Sequence, residues 1–182
     1  MLKKVRGFTL IELLIVVAIL GILAALLIPN AISAMQKAKQ KSTMKDIMVI
    51  STAIADFVTD NSRTPAQDGI IARGSTFFTD LCPFYTKVLP VNDQWGTPFR
   101  VYTGTAVASV YGIPAEDIGS NDFLTVSLGR DGEDGGDENF TYNAENPAAG
   151  LYRLYSIADF DNDLINLNGS WLHAPRIMFR GS

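Results

Sequence analysis

The chain has very few of the residues from which disulfide frameworks and catalytic or metal centres are usually built. Its 182 residues include one cysteine, Cys82, and one histidine, His173. A single cysteine cannot form an intrachain disulfide, and a single histidine excludes a metal site made of several imidazoles. No nucleophile, base and orienting group form a recognisable pattern, so the sequence predicts a protein that is not an enzyme.

The chain also lacks an excess of positive charge. Lysine and arginine number 15 against 19 acidic residues, which gives a net charge of −4. The one strongly basic cluster, in residues 37–45, is interpreted as a solvated helix face. The glycine-rich segment 129–136 contains no lysine of the kind that a phosphate-binding loop requires. We therefore expect no nucleic-acid partner.

A long apolar run lies near the start of the chain. Phe8 to Ile28 comprises 21 residues, of which only Thr9 and Glu12 are polar. A helix of this length spans roughly 30 Å, the thickness of the hydrocarbon core of a bilayer. Basic residues precede the run within residues 1–7, so the positive-inside rule places the start of the chain in the cytoplasm. The sequence predicts a single-pass membrane protein whose remaining residues lie outside the cytoplasm.

Glu12 is unusual in such a run, because an ionised carboxylate costs about 2.5–3.5 kcal/mol at the bilayer centre. A partner, preferably a positive charge, would offset this cost. A plain uncleaved signal anchor supplies no such partner and is the simpler alternative.

The start of the run reads Gly7-Phe8-Thr9-Leu10-Ile11-Glu12. This motif resembles the processing site of the type IV pilin and type II secretion pseudopilin superfamily. The resemblance implies that a prepilin peptidase cuts after Gly7 and methylates the new amino terminus at Phe8. It also implies that Glu12 pairs with the amino terminus of a neighbouring subunit during filament assembly.

The apolar pattern changes after Pro29, where hydrophobic residues recur at steps of three and four. The predicted buried stripe is Ile32, Met35, Ile47, Ile50, Ile54, Phe57 and Val58. We predict one helix from Phe8 to about Thr59, with a kink, a locally melted stretch or a tolerated proline at Pro29. The predicted organisation is a leader at 1–7, a transmembrane and assembly helix at 8–28, an amphipathic continuation at 29–60 and a globular head at 61–182.

The predicted head contains short β-rich runs bounded by glycine, proline, aspartate or asparagine. They are Phe99–Thr103, Phe123–Leu128, Leu151–Ile157 and Ile177–Arg180. Short strands of this kind favour a small antiparallel sheet that packs against the helix. The predicted fold class is therefore α+β, with a pilin-like long helix and sheet.

A second resemblance lies between the helix and the first of these runs. Asp60-Asn61, Thr64-Pro65 and Asp93-x-Trp95-Gly96-x-Pro98 look like the corresponding region of the major pseudopilin of type II secretion. Many type IV major pilins carry a cysteine pair that this chain lacks. The resemblance implies a filament subunit of protein export that first resides in the bacterial inner membrane, with the head in the periplasm. The implied partners are copies of itself, the peptidase, an inner-membrane assembly platform and minor pseudopilins.

Two other functions are compatible with the same sequence features. A type IV pilin of a surface fibre would share the helix, and its assembled state would be extracellular. A monomeric, membrane-anchored periplasmic binding module would show neither leader processing nor contacts between helices.

Two acidic segments, residues 128–138 and 158–163, predict a cation site in the head. Carboxylate oxygens on glycine-containing loops suit Ca²⁺ better than transition metals. An EF-hand is excluded, because Leu164 and Ser170 stand where its glycine and glutamate belong.

The resemblance to the major pseudopilin implies a particular set of calcium ligands. They are the Leu128 carbonyl, Asp131, Asp159 and Asp161. The inserted segment 137–156 departs from the family pattern, and Asp134, Asp137 or Asp163 could replace Asp161. A pair of solvated acidic loops without metal is the alternative interpretation.

Overall fold

The computed structural model describes residues 7–108, 110–133 and 140–176. Its first element is the helix α1, Leu10–Asn61, which confirms the predicted long helix to within two residues at either end. The helix continues without interruption through Pro29, in agreement with a tolerated proline. Melting of this stretch in an assembled filament stays a prediction.

The chain divides into two compact units, Met1–Lys37 and Ala38–Ser182. Within the first unit, every described residue up to position 32 is exposed. This part of α1 contains the one stretch, among the described residues, that is long and apolar enough to cross a membrane. Ile32 and Met35 are also exposed, so the buried stripe begins later than predicted.

The second unit, called the C-terminal unit below, contains a six-stranded sheet. The strands are β1 Asp68–Ile70, β2 Arg100–Thr103, β3 Phe123–Ser127, β4 Leu151–Tyr152, β5 Leu164–Leu167 and β6 Ser170–Pro175. Their order is β1-β2-β3-β5-β6-β4, and neighbours are antiparallel except for the parallel pair β4 and β6. A short helix, α2 Thr76–Leu81, lies between β1 and β2 and is capped by the Ser75 side chain. Short 3-10 helices occur at Gly104–Val107, Val110–Gly112, Ala115–Asp117, Pro147–Gly150 and Ala158–Phe160. The architecture confirms the α+β prediction.

Two of the four predicted strands agree closely with the observed sheet. The first two runs are confirmed as β2 and β3 to within one residue at each end. The predicted strand Leu151–Ile157 is correct only over its first two residues, which pair with β6. The predicted strand Ile177–Arg180 lies outside the described residues. The hairpin of β5 and β6 was missed.

The sheet is buried on both faces. On one face, Val101, Phe123 and Leu164 pack with the buried stripe of α1. That stripe consists of Gln40, Thr43, Ile47, Ile50, Ser51, Ala53, Ile54 and Phe57. On the other face, alternate residues such as Leu124 and Val126 form a second cluster with Val107, Ile113, Leu128, Ile165 and Leu172. Because successive side chains of a strand point to opposite faces, β3 contributes to both clusters and is buried throughout.

Candidate functional site

The predicted processing segment precedes α1. Gly7, Phe8 and Thr9 are exposed and lie outside the helix. A Cβ atom built on Gly7 would have no neighbour within 4 Å. The peptide bond after Gly7 is therefore open to an approaching enzyme.

Thr9 and Glu12 form reciprocal hydrogen bonds at the start of α1. The Thr9 backbone amide and hydroxyl both donate to Glu12 Oε2, at 2.9 and 2.7 Å, and the Glu12 amide donates to Thr9 Oγ1 at 3.3 Å. This arrangement is a capping box, in which two orphan amides of the first turn find acceptors. The predicted assembly residue thus has partners in its own chain. The Thr-x-x-Glu spacing is the sequence signal for these hydrogen bonds.

The two acidic segments that the sequence singled out meet in the C-terminal unit. The Arg130 amide donates to the Phe160 carbonyl oxygen at 2.8 Å. Gly129, at φ +67°, passes so close that an added Cβ would lie 2.4 Å from the Asp161 carbonyl oxygen. The structure therefore brings the backbone at Gly129 and Arg130 into contact with residues 160–162. The segments 129–131 and 160–162 are called the acidic loops below.

The predicted carboxylate ligands point to different partners. The Arg130 guanidinium donates to both oxygens of Asp161, with Nε at 2.6 Å and Nη2 at 2.8 Å. This contact with Asp161 is the main reason that the pKa of Arg130 is raised.

The other two carboxylates accept hydrogen bonds from backbone amides. Asp159 Oδ2 accepts from the amides of Tyr155 and Ser156, at 2.5 and 2.6 Å. Asp131 Oδ1 accepts from the Glu133 amide at 3.3 Å. Over the described ranges, no three Asp, Glu, His or Cys side chains gather in a way that could hold a metal ion.

The three predicted carboxylate ligands therefore do not fit an ion in this arrangement. The loops come together, but the carboxylate that should bridge them is paired with an arginine. Asp134 and Asp137, the suggested substitutes, lie outside the described residues.

The remaining substitute, Asp163, belongs to an aromatic cluster that sequence reasoning missed. Its carboxylate accepts a hydrogen bond from the Tyr111 hydroxyl, and its carbonyl oxygen lies 3.0 Å from Nδ1 of the buried His173. The His173 ring stacks on the Phe140 ring with 4.9 Å between the ring centroids, and its centroid lies 4.8 Å from that of the Tyr152 ring. Phe140 and Tyr152 belong to the inserted segment, so these contacts join that segment to β6 at two points.

Comparisons with known proteins agree with the N-terminal motif. Residues 2–28 match the family model described as the prokaryotic N-terminal methylation motif. No solved structure matches the chain.

Similarity to individual proteins extends well beyond this motif. The type II secretion system core protein G of Vibrio cholerae is 34% identical over 142 residues, which cover 75% of this chain and 88% of that protein. Its counterpart in Pseudomonas aeruginosa is 36% identical over 144 residues, covering 75% and 92%. That of Escherichia coli is 30% identical over 145 residues, covering 76% and 90%. At this identity and coverage, the chain belongs to the family of type II secretion system core protein G, the major pseudopilins.

Proposed function

We infer that this chain is the major structural subunit of a type II secretion pseudopilus, a non-enzymatic protein that polymerises into a helical filament. The observation that carries this inference is the exposed apolar helix that starts at the Thr9–Glu12 capping box, in a chain related to core protein G over most of its length. Leader removal after Gly7 and methylation of Phe8 follow from the matched N-terminal motif.

The exposed part of α1 requires an apolar environment in every state of the protein. Before assembly that environment is the inner membrane, with residues 1–7 in the cytoplasm and the C-terminal unit in the periplasm. In the filament it is a bundle of sister helices, which is as apolar as the lipid and can also be packed closely. Transfer from lipid to bundle therefore exchanges one apolar contact for another.

Glu12 guides a new subunit into register. Both Thr9 donors use Oε2, so Oε1 can accept a hydrogen bond from the amino group of Phe8 in a neighbouring copy. A charge-assisted bond of this kind is strong where water is absent. The prepilin peptidase, the assembly platform and the minor pseudopilins are the further partners of this sequence of events.

Substitution of Glu12 tests the proposal. Glu12→Leu should insert in the membrane and lose its leader like the wild type, because the helix stays apolar, but should yield few filaments. The measurement is the amount of sheared filament, and the mass of the membrane-bound chain, in cells that contain the secretion system. Leu13→Ile, a conservative change at the neighbouring position, serves as the control. Efficient filament formation by Glu12→Leu would overturn the proposed assembly mechanism.

Calcium binding by Leu128, Asp131, Asp159 and Asp161 stays a prediction. The contact between the acidic loops supports it, whereas the pairing of Asp161 with Arg130 argues against it. Calcium is therefore no part of the assembly mechanism proposed above.

A further inference from the structure

We infer that Arg130 is an internal cation that closes the acidic loops, so that the C-terminal unit folds without calcium. This inference goes beyond the filament function and does not depend on it. It concerns the stability of one subunit, whether or not that subunit polymerises.

The geometry places the guanidinium where a bridging cation would act. Arg130 belongs to one acidic loop and Asp161 to the other, and two N–H groups of the arginine reach the two carboxylate oxygens. The backbone of Arg130 makes a second link, from its amide to the Phe160 carbonyl oxygen. One residue therefore holds the opposite loop through both its backbone and its side chain.

A calcium ion at this position would have to displace the arginine from Asp161. The planar guanidinium matches a carboxylate with two parallel hydrogen bonds, and it carries its charge at every physiological pH. Being part of the chain, it loses no translational freedom when it binds, unlike a free ion. The structure thus replaces an external cation by a covalently attached one.

Among the described residues, two further carboxylates beside the acidic loops have donors of their own. Asp159 accepts from two backbone amides, and Asp163 accepts from the Tyr111 hydroxyl. Their negative charges are therefore partly compensated without a metal. The charge of Asp161, which faces the opposite acidic loop, is neutralised by Arg130.

The test is thermal unfolding of the full chain in detergent, followed by the fluorescence of Trp95 and Trp171, which both lie in the C-terminal unit. The wild type is compared with Arg130→Gln, with Asp161→Asn and with the double variant, each in excess Ca²⁺ and in chelator. Arg73→Gln is the matched control, since Arg73 is an exposed arginine outside the acidic loops.

The expected result is a wild-type melting temperature that does not depend on calcium. The side chains of Arg130 and Asp161 are 32% and 30% exposed, so solvent screens the pair in part. Each single variant should therefore melt about 2–4 °C below the wild type in a chain of this size. The double variant should melt no lower than the less stable single variant, because both changes break the same contact.

Two outcomes would overturn the inference. One is a wild-type melting temperature that rises by about 5–10 °C in saturating Ca²⁺, the shift that tight binding produces, and that Asp161→Asn no longer shows. The other is an Arg130→Gln variant that melts no lower than Arg73→Gln. Neither outcome affects the filament assay with Glu12→Leu, so the two ideas can fail separately.

Discussion

At the scale of single residues, Glu12 shows how a polar group is accommodated in an apolar helix. The cost of an intramembrane carboxylate predicts a positively charged partner for Glu12, and the family resemblance implies that this partner is the amino terminus of another subunit. The structure shows that Thr9 already donates two hydrogen bonds to this carboxylate within the same chain. The carboxylate therefore has hydrogen-bond donors within its own chain, and in the proposed assembly a neighbouring amino group would add to this network.

Asp93 is a second residue whose role became visible only in the fold. Its carboxylate is buried in the turn before β2, where Oδ1 accepts from the amides of Trp95 and Thr97, both at 2.9 Å. Oδ2 accepts from the Ser127 hydroxyl at 2.8 Å, at the end of β3. Burial raises the pKa of Asp93 above its usual range, although the hydrogen bonds oppose that shift.

The raised pKa predicts a pH-dependent effect of Asp93→Asn. Because the carboxyl holds its proton more tightly in the folded state, ionisation reduces the stability of the wild type as the pH rises from the unfolded-state pKa of about 4 through the folded-state pKa. An asparagine amide can still accept the two backbone hydrogen bonds through its oxygen, and its NH2 group can donate to the Ser127 hydroxyl oxygen, which reverses that bond. It does not ionise. The free energy of unfolding of Asp93→Asn minus that of the wild type should therefore be larger near neutral pH than at about pH 3, on the acid side of that range.

Urea unfolding of the wild type and of Asp93→Asn, from about pH 3 to neutral pH, measures the difference in their free energies of unfolding. Asp93→Ala, which removes the hydrogen bonds at every pH, is the control and should be the least stable variant throughout. A difference between Asp93→Asn and the wild type that is constant with pH would contradict the prediction.

At the scale of secondary structure, the elements whose signal lies within one segment could be predicted from the sequence. The helix α1 and the strands β2 and β3 were found because their apolar periodicity lies in one segment each. The β5–β6 hairpin was missed although its signal is present, since Asn168-Gly169 between two apolar runs is typical of a two-residue hairpin turn. Both turn residues have positive φ, at 51° and 83°, as such a turn requires.

Other features depend on contacts between distant segments and could not be predicted. Strand β4 has only two residues and exists because the inserted segment lies beside β6. The choice of Arg130 as partner for Asp161 depends on how closely the two loops approach, which no spacing in the sequence reveals. The sequence assigns both acidic loops to one predicted calcium site, and the structure joins them through a contact that the sequence did not predict.

Glycine substitutions test how closely the two acidic loops approach each other. Gly129 and Gly169 both have positive φ, but an added Cβ would meet the Asp161 carbonyl oxygen only at Gly129 and open space at Gly169. Gly169→Ala should cost about 1–2 kcal/mol, the conformational term alone. Gly129→Ala should cost about 1–3 kcal/mol more, because the loops must also separate. Urea unfolding compares the two variants, and equal losses would contradict the close approach of the acidic loops.

At the scale of the whole molecule, the two units differ in how much of their apolar surface they bury. The C-terminal unit buries a sheet on both faces, as an independent core should. The described part of the N-terminal unit leaves its apolar side chains uncovered from Phe8 to Met35. Length and hydrophobicity are properties of the segment itself, so this helix was the most predictable part of the chain, and the proposed filament is the state that would cover it outside the membrane.

Cysteine reporters on the uncovered helix test whether sister helices cover it. Cys82→Ser gives a chain without cysteine, and Leu20→Cys then places one thiol on the exposed helix surface. The axes of helices packed side by side lie about 8–10 Å apart. Facing residues of two such helices can therefore have Cα atoms less than about 7 Å apart, as a disulfide requires. Mild oxidation should therefore produce linked dimers in cells that assemble filaments, measured by non-reducing electrophoresis. Adding Glu12→Leu to the reporter chain should remove the dimers while leaving the membrane-bound monomer, because docking fails after insertion has succeeded. Dimers of equal yield with and without Glu12 would show that the helices meet by chance in the membrane and would contradict assembly through this surface.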